Sequence, residues 1–135
     1  MELIDLLNTK DRFAAMNGIQ LVEIREGYAR AEMTVTDKHL NGGNVCQGGA
    51  LFTLADLAFA AVTNSHGQLT FGIQSSIVFS KSALEGDRLT AVATETVNHH
   101  KLPYCEVQIR NQRDKLIAVF TGVAYRKQET LNMKH

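Results

Sequence analysis

The sequence predicts an α+β fold in which one long helix packs on an antiparallel sheet. Three observations lead to this prediction. A glycine-rich loop runs into the apolar segment Ala50–Asn64, which is rich in the helix formers alanine and leucine. A hairpin-like pair of alternating segments precedes the loop, and only strand-like segments follow Gly67. Because an apolar helix must be covered, the simplest arrangement is a curved sheet wrapped around it.

Length and composition are those of one globular domain. The chain has 135 residues, 44% of them hydrophobic and 21% charged. Lys and Arg number 14 and balance 14 Asp and Glu, so the net charge gives no electrostatic basis for binding nucleic acid or an anionic membrane. We therefore expect a single domain over residues 1–135, without nucleic-acid or membrane partners.

The N-terminal sequence and the cysteines predict a cytoplasmic protein. Residues 1–5 are acidic and lack the positive region of a secretory signal, and no apolar run reaches the roughly 20 residues that span a bilayer. Cys46 and Cys105 have no CxxC spacing, so we interpret them as small apolar residues in a reducing compartment. No cysteine or histidine cluster has zinc-ligand spacing, and we expect no metal.

The segments that flank the long helix are predicted in chain order. An apolar stripe with helical spacing, ending at Asn17-Gly18, predicts one or two short N-terminal helices within residues 1–18. Alternation on either side of Glu26-Gly27 predicts a hairpin. Four further strands are expected, followed by a frayed polar tail over 126–135. The four strands are 71–79, 88–98, 104–110 and 116–125.

One carboxylate, Asp56, interrupts the apolar helix. It is the only residue with a permanent charge between Lys38 and Lys81. An ionised carboxylate in a buried helix is unfavourable unless it is paired or hydrogen-bonded. Asp56 is therefore a catalytic candidate, with a structural ion pair or a loop cap as the alternative.

The glycines before the helix can supply hydrogen-bond donors. Gly48, Gly49 and Ala50 place backbone N–H groups at the positive end of the helix dipole. Glycine lets a carbonyl oxygen approach such donors closely. In characterised oxyanion holes one donor contributes roughly 2.7–4 kcal/mol.

Together these residues resemble the hotdog-fold acyl-CoA thioesterases, in particular the phenylacetate-degradation (PaaI-like) branch. The resemblance extends from about residue 11 to 126. It is carried by five motifs: Asn41-Gly42, Gly48-Gly49, Leu51–Asp56, Asn64-Ser65 and Gly86-Asp87. It implies a central helix wrapped by a curved antiparallel sheet, and a homodimer or homotetramer with active sites between subunits. The implied substrate is an acyl-CoA with an aryl or other hydrophobic acyl group. The coenzyme is then part of the substrate, and no separate cofactor is expected.

The resemblance also implies catalytic roles. Asp56 would be the general base, or a nucleophile that forms an anhydride. Gly49 would be the oxyanion donor, and Asn41 would orient the base or the thioester unless it only stabilises its loop. Gly49 and Asp56 are seven residues apart, roughly 10 Å along the helix axis. One substrate can hardly reach both residues of the same helix. A site that takes the glycine from one subunit and the aspartate from the other would bring the two groups together.

Four residues are expected to contact the substrate: Gln47, Gly48, Ser75 and Ser76. Gln47 stands where the family usually has histidine; its amide can donate to a carbonyl but cannot titrate. This departure leaves open a non-catalytic protein that binds or senses acyl-CoA. The two serines are equally compatible with the solvent side of a strand. Candidates for the CoA phosphates, each also compatible with ordinary surface charge, are Lys81, Arg88, His99, His100 and Lys101.

Overall fold

A six-stranded antiparallel sheet curves around one long helix. The structure, a computed structural model, describes residues 1–132. The helices are α1 (Leu3–Lys10), α2 (Arg12–Met16) and α3 (Gly48–Thr63), with a 3-10 turn at Asp37–His39. The strands are β1 (Gln20–Arg25), β2 (Tyr28–Thr34), β3 (Gln68–Phe79), β4 (Arg88–Val97), β5 (Tyr104–Arg110) and β6 (Leu116–Thr130). Their order across the sheet is β1-β2-β4-β5-β6-β3, which confirms the α+β prediction.

Small side chains let α3 lie close to the middle of the sheet. Ala31 of β2 pairs with Ala91 of β4, and Ala29 pairs with Ala93; all four are fully buried. Alanine adds little height above the strands, so the large side chains of the helix can reach the backbone of the sheet. Leu54 and Leu57 of α3 fill this space and are at most 1% exposed. The core is therefore built from a large-on-small arrangement.

Phe59 fixes α3 against the β6–β3 side of the sheet. Its ring lies over Gly122, where a Cβ atom would come within 2.7 Å of it, and beside Gly72. Phe120 of β6 packs on the same ring with centroids 5.5 Å apart, and Phe52 packs on Phe120 at 5.2 Å. A side chain at position 122 would push the helix away from the sheet.

Strand β3 forms one edge of the sheet and is unusually apolar for an edge. It has 12 residues, of which most are exposed. Its large exposed side chains are Phe71, Ile73, Val78 and Phe79, at 51%, 59%, 68% and 52% exposure. Long apolar edges of this kind are open to pairing with another strand.

A charged cluster closes the end of the sheet that lies beyond the C-terminus of α3. His66 Nε2 lies 2.8 Å from Glu95 Oε2, and Arg126 Nη2 lies 3.9 Å from the same oxygen. Arg126 also donates through Nη1 to Asn98 Oδ1 and to the His99 carbonyl. Both Glu95 and Arg126 are nearly buried, so their opposite charges compensate each other away from water.

Two boundaries differ from the sequence prediction. The prediction began the third strand at Phe71 and ended the last at Tyr125. Instead β3 begins at Gln68 and β6 continues to Thr130, because these two ends pair with each other. Part of the expected frayed tail is thus strand, and residues 133–135 of that tail lie outside the described residues. Among the described helices, none combines the length and apolar character needed to cross a membrane.

Candidate active site

One face of α3 is not covered by the sheet. Gly49 and Asp56 are exposed on this face, with the half-buried Thr53 and Ala60 between and beyond them. Residues spaced by three and four positions share a helix face, so these four form one stripe. The sequence predicted a helix buried on all sides, and this is wrong: the sheet leaves a strip of α3 open that carries its only carboxylate.

Asp56 has no polar partner among residues 1–132, the part of the chain that the structure describes. Its carboxylate makes no hydrogen bond or ion pair with any described residue, which removes the alternative of a structural cap or salt bridge. The side chain reaches solvent, but the apolar groups around it raise the pKa of Asp56 by desolvation, and the carboxylate of Asp11 raises it further. The structure therefore holds an unpaired carboxylate with a pKa above its ordinary value.

Gln47 is the N-cap of α3 and binds most of the donors at the helix start. Its side-chain Oε1 accepts from Gly49 N–H at 3.1 Å. Its main-chain carbonyl accepts from the N–H groups of Ala50 and Leu51 at 3.0 and 3.3 Å. Within the described residues the Gly48 N–H makes no hydrogen bond. The donor that remains free is therefore on Gly48.

Gly48 and Gly49 face different cavities. Gly48 lines a cavity of about 320 Å³ together with Asn41, Leu51 and Phe79. Gly49 lines another, of about 430 Å³, with Gln47, Thr53 and Phe13 of α2. A Cβ atom on Gly48 would come within 2.8 Å of the Phe79 ring. Gly48, whose N–H is free, and Asn41 thus line one recess with both polar and apolar walls, and Gly49 lies outside it.

Asn41 shapes the loop through its side-chain oxygen. Oδ1 accepts from the N–H groups of Gly43 and Val45 at 2.8 and 3.3 Å. Its Nδ2 group makes no hydrogen bond within the described residues, and Asn41 lines the recess beside Gly48. Both interpretations drawn from the sequence are therefore compatible, because the two ends of one amide serve different purposes.

The two predicted serines lie on opposite faces of β3. Ser75 pairs with Gly122 and faces α3, whereas Ser76 faces outward and bonds Thr121 Oγ1 at 3.1 Å. Neighbouring residues of a strand alternate between faces, so both cannot enter one site. Ser75 therefore lies on the α3 side and Ser76 does not, and the substrate contacts expected of the two serines stay predictions.

The predicted cationic residues are dispersed. Lys81 lines the recess that holds Asn41 and Gly48. Arg88 lines a separate cavity, and the rings of His99 and His100 stack on each other 4.4 Å apart, in the loop after β4. Of the five candidates only Lys81 lies beside the donors.

The cysteines are protonated at neutral pH. Burial raises the pKa of Cys46 to about 11 and that of Cys105 to about 12. A thiol with such a pKa is a poor nucleophile. Within the described residues, no three His, Cys, Asp or Glu side chains are grouped to hold a metal.

Sequence reasoning missed two residues that border the site. His39 is buried; its Nδ1 accepts from Thr36 N–H at 3.0 Å and its Nε2 lies 2.8 Å from the Asn17 carbonyl. Asp11 is the N-cap of α2, and its negative charge raises the pKa of Asp56. The capping pattern Thr36-x-x-His39 was a usable signal for the first, whereas nothing in the sequence places Asp11 near Asp56.

Fold and site together define a hotdog-type protein, in which a curved sheet wraps a central helix that carries the functional groups. The chain belongs to the thioesterase superfamily, whose model matches residues 39–118. The PaaI-like assignment from the sequence is confirmed by the relatives. The acyl-coenzyme A thioesterase PaaI of Escherichia coli is 38% identical over 116 residues, which are 86% of this chain and 83% of that protein.

Solved structures agree with this assignment. The PaaI protein from the phenylacetic acid degradation operon of E. coli superposes with a TM-score of 0.90 at 35% identity, covering 95% of this chain and 93% of that one. A Streptococcus mutans protein bound to acetyl CoA has a TM-score of 0.80 at 26% identity, covering 84% and 91%. The hotdog fold is confirmed, and the protein is an enzyme of the thioester hydrolase class.

Proposed function

We propose that the protein hydrolyses acyl-CoA thioesters with hydrophobic acyl groups, aryl groups among them, to the free acid and CoA. The observation that carries this proposal is the free Gly48 N–H in a recess with Asn41, on the helix that also presents the unpaired Asp56. The names of the E. coli relative and the acetyl-CoA complex of the S. mutans protein support the same substrate class. The cytoplasmic location stays a prediction.

The donor in this proposal is Gly48, not Gly49. Gly49 N–H is already bound by Gln47, whereas Gly48 N–H is free to donate to the thioester oxygen as negative charge develops on it. Asn41 Nδ2 is a second donor in the same recess. Leu51 and Phe79 line it and suit an apolar acyl group.

Asp56 would remove a proton from the attacking water, and the CoA thiolate would then leave as the carbonyl re-forms. The raised pKa of Asp56 favours this general-base role, because a stronger base is better matched to proton transfer near neutral pH. Direct attack by the carboxylate to form an anhydride is the other route.

We further propose that each site is shared by two subunits, in a homodimer or a homotetramer of two such dimers. Gly48 and Asp56 are eight positions apart on α3, roughly 12 Å along its axis, too far for one thioester to reach both. The open strip of α3 and the apolar edge β3 supply the surface on which a second copy can bring its Asp56 to Gly48.

The central test is Asp56→Asn, assayed with a panel of acyl-CoAs and a thiol-detecting reagent. We expect kcat to fall at least ~10²-fold, because the base is removed without changing the shape of the side chain. Asp5→Asn, on the exposed surface of α1, is the matched control and should keep full activity. Equal rates for wild type and Asp56→Asn would contradict the assignment of Asp56.

The same variant separates function from stability. A carboxyl whose pKa is raised in the folded state binds its proton more tightly there, so stability falls as pH rises through that pKa. Asn at position 56 removes this unfavourable ionisation, and its melting temperature at pH 7 should equal or exceed that of wild type. In wild type kcat/KM should fall as pH drops through the raised pKa of Asp56.

A further inference from the structure

Gln47 satisfies three of the first four N–H groups of α3. Its Oε1 binds Gly49 N–H, and its carbonyl binds those of Ala50 and Leu51. The remaining donor, on Gly48, is the one assigned above to the thioester oxygen. One residue thus decides which donor of the helix is available.

The backbone of Gln47 is held on the side away from the helix. Its N–H donates to the His39 carbonyl at 2.8 Å, and the neighbouring Cys46 N–H donates to Ala83 at 2.8 Å. The His39 ring is fixed in turn between Thr36 N–H and the Asn17 carbonyl. These contacts set the direction in which α3 begins.

The side chain of Gln47 needs a glycine beside it. A Cβ atom at position 49 would come within 2.5 Å of Gln47 Oε1, so any other residue would displace the cap. Gly49 is therefore required for the placement of Gln47. This explains a glycine whose own N–H is not available to substrate.

We propose that Gln47 is a positioning residue for thioester hydrolysis, an inference that rests on the proposed function. By occupying Gly49 N–H with a neutral oxygen it fixes the first turn of α3, and among the first four N–H groups of this described helix only that of Gly48 stays free. Because an amide does not titrate, the Gln47–Gly49 hydrogen bond and the free Gly48 N–H are the same at every pH at which the protein is folded.

Histidine at this position would behave differently. An imidazole can accept from Gly49 N–H only while one ring nitrogen carries no proton, and its ordinary pKa is about 6.5. Protonation would convert that acceptor into a donor, and the cap would be lost. Gln47→His should therefore add an ionisation to the pH profile that wild type does not have.

The kinetic test compares kcat of wild type and Gln47→His from pH 5.5 to pH 8 on one acyl-CoA. We expect rates within about threefold of each other at pH 8, and a ratio that falls about tenfold by pH 5.5, one pH unit below the imidazole pKa. Gln20→His, which puts the same group on the exposed start of β1, should track wild type throughout. A ratio that stays constant, or rises toward acid pH, would overturn the proposal.

Amide exchange gives a test that does not depend on turnover. With ¹⁵N-glycine labelling, Gly49 N–H should exchange more slowly than Gly48 N–H in wild type. In Gln47→Ala the Gly49 N–H should exchange about fivefold faster, the effect expected when an N-cap is lost. If Gly49 is unprotected in wild type, Gln47 does not hold it and the inference fails. If the protein hydrolyses no acyl-CoA but Gly49 is protected as described, the proposed substrate class is at fault and the positioning of Gly48 by Gln47 stands.

Discussion

Gly48 is the first residue of α3, and proline at this position would remove its unbonded N–H without removing a helical hydrogen bond. Proline is well tolerated at this position because the helix does not use that N–H and because the ring fixes a helical φ. The preceding Gln47 has ψ of 140°, which suits a residue before proline. Gly48→Pro should therefore remove one donor without breaking the helix, and its main side effect is the Cβ atom that it places against the Phe79 ring.

We expect Gly48→Pro to lower kcat by roughly 10²–10³-fold while the protein remains folded, the usual effect of removing an oxyanion donor. Gly48→Ala is the matched control, since it brings the same Cβ atom against the Phe79 ring but keeps the N–H. Steady-state kinetics and thermal melts of both variants provide the measurement. Equal losses in the two variants would point to crowding at Phe79 instead of a missing donor.

The functional roles of single residues could be predicted from the sequence in some cases and not in others. Asp56 was identifiable because an isolated charge in an apolar helix is a local anomaly. The choice between Gly48 and Gly49 was not, because it depends on the direction in which the Gln47 side chain folds back. The exposure of Asp56 was also missed, since periodicity describes the helix and not where the sheet stops.

At the scale of the element, strand β3 is expected to hold two copies together. Ile73 lies near the middle of this edge strand and is 59% exposed. In a two-fold antiparallel pairing of β3 with itself, the middle of the strand lies opposite its own copy. Ile73→Lys would then place two like charges across the interface, which is destabilising.

The expected result is a monomer by light scattering at micromolar concentration, with most of the hydrolytic activity lost. Val97→Lys is the control, because Val97 is an exposed apolar residue, at 49%, on a strand that is not at the edge. It should leave mass and activity unchanged. A fully active monomeric Ile73→Lys variant would disprove the shared site.

The elements themselves were largely predictable. The helix expected at Ala50–Asn64 is observed at Gly48–Thr63, because its start depends on the cap and not on helix propensity. The first hairpin and the middle strands follow their alternating patterns. The start of β3 and the end of β6 were not predicted, because these segments pair only with each other. In addition, the apolar edge strand β3 lacks the alternation of a half-buried strand.

At the scale of the whole molecule, the cluster around Glu95 joins the turn after α3, through His66, to β4 and β6. Glu95→Gln keeps the size of the side chain but removes the charge that faces the buried Arg126. Leaving a buried charge uncompensated should lower the free energy of unfolding by about 3 kcal/mol. Chemical denaturation at pH 7 provides the measurement.

Glu129→Gln is the matched control, since Glu129 forms an exposed pair with Lys127 at 3.3 Å. An exposed pair contributes little, so its loss should change the unfolding free energy by less than about 0.5 kcal/mol. If both variants unfold alike, the cluster does not hold the closed end of the sheet.

The open edge of β3 also makes catalytic output a question of mass action. A site assembled from two chains exists only in the associated fraction, which falls on dilution once the concentration approaches the dissociation constant. Activity per chain would then rise with the amount of protein made, while an enzyme with a self-contained site would give the same rate per molecule at any abundance. The strength of association through β3 would therefore set a minimum protein concentration. Below that concentration most chains would be monomeric and would not hydrolyse substrate.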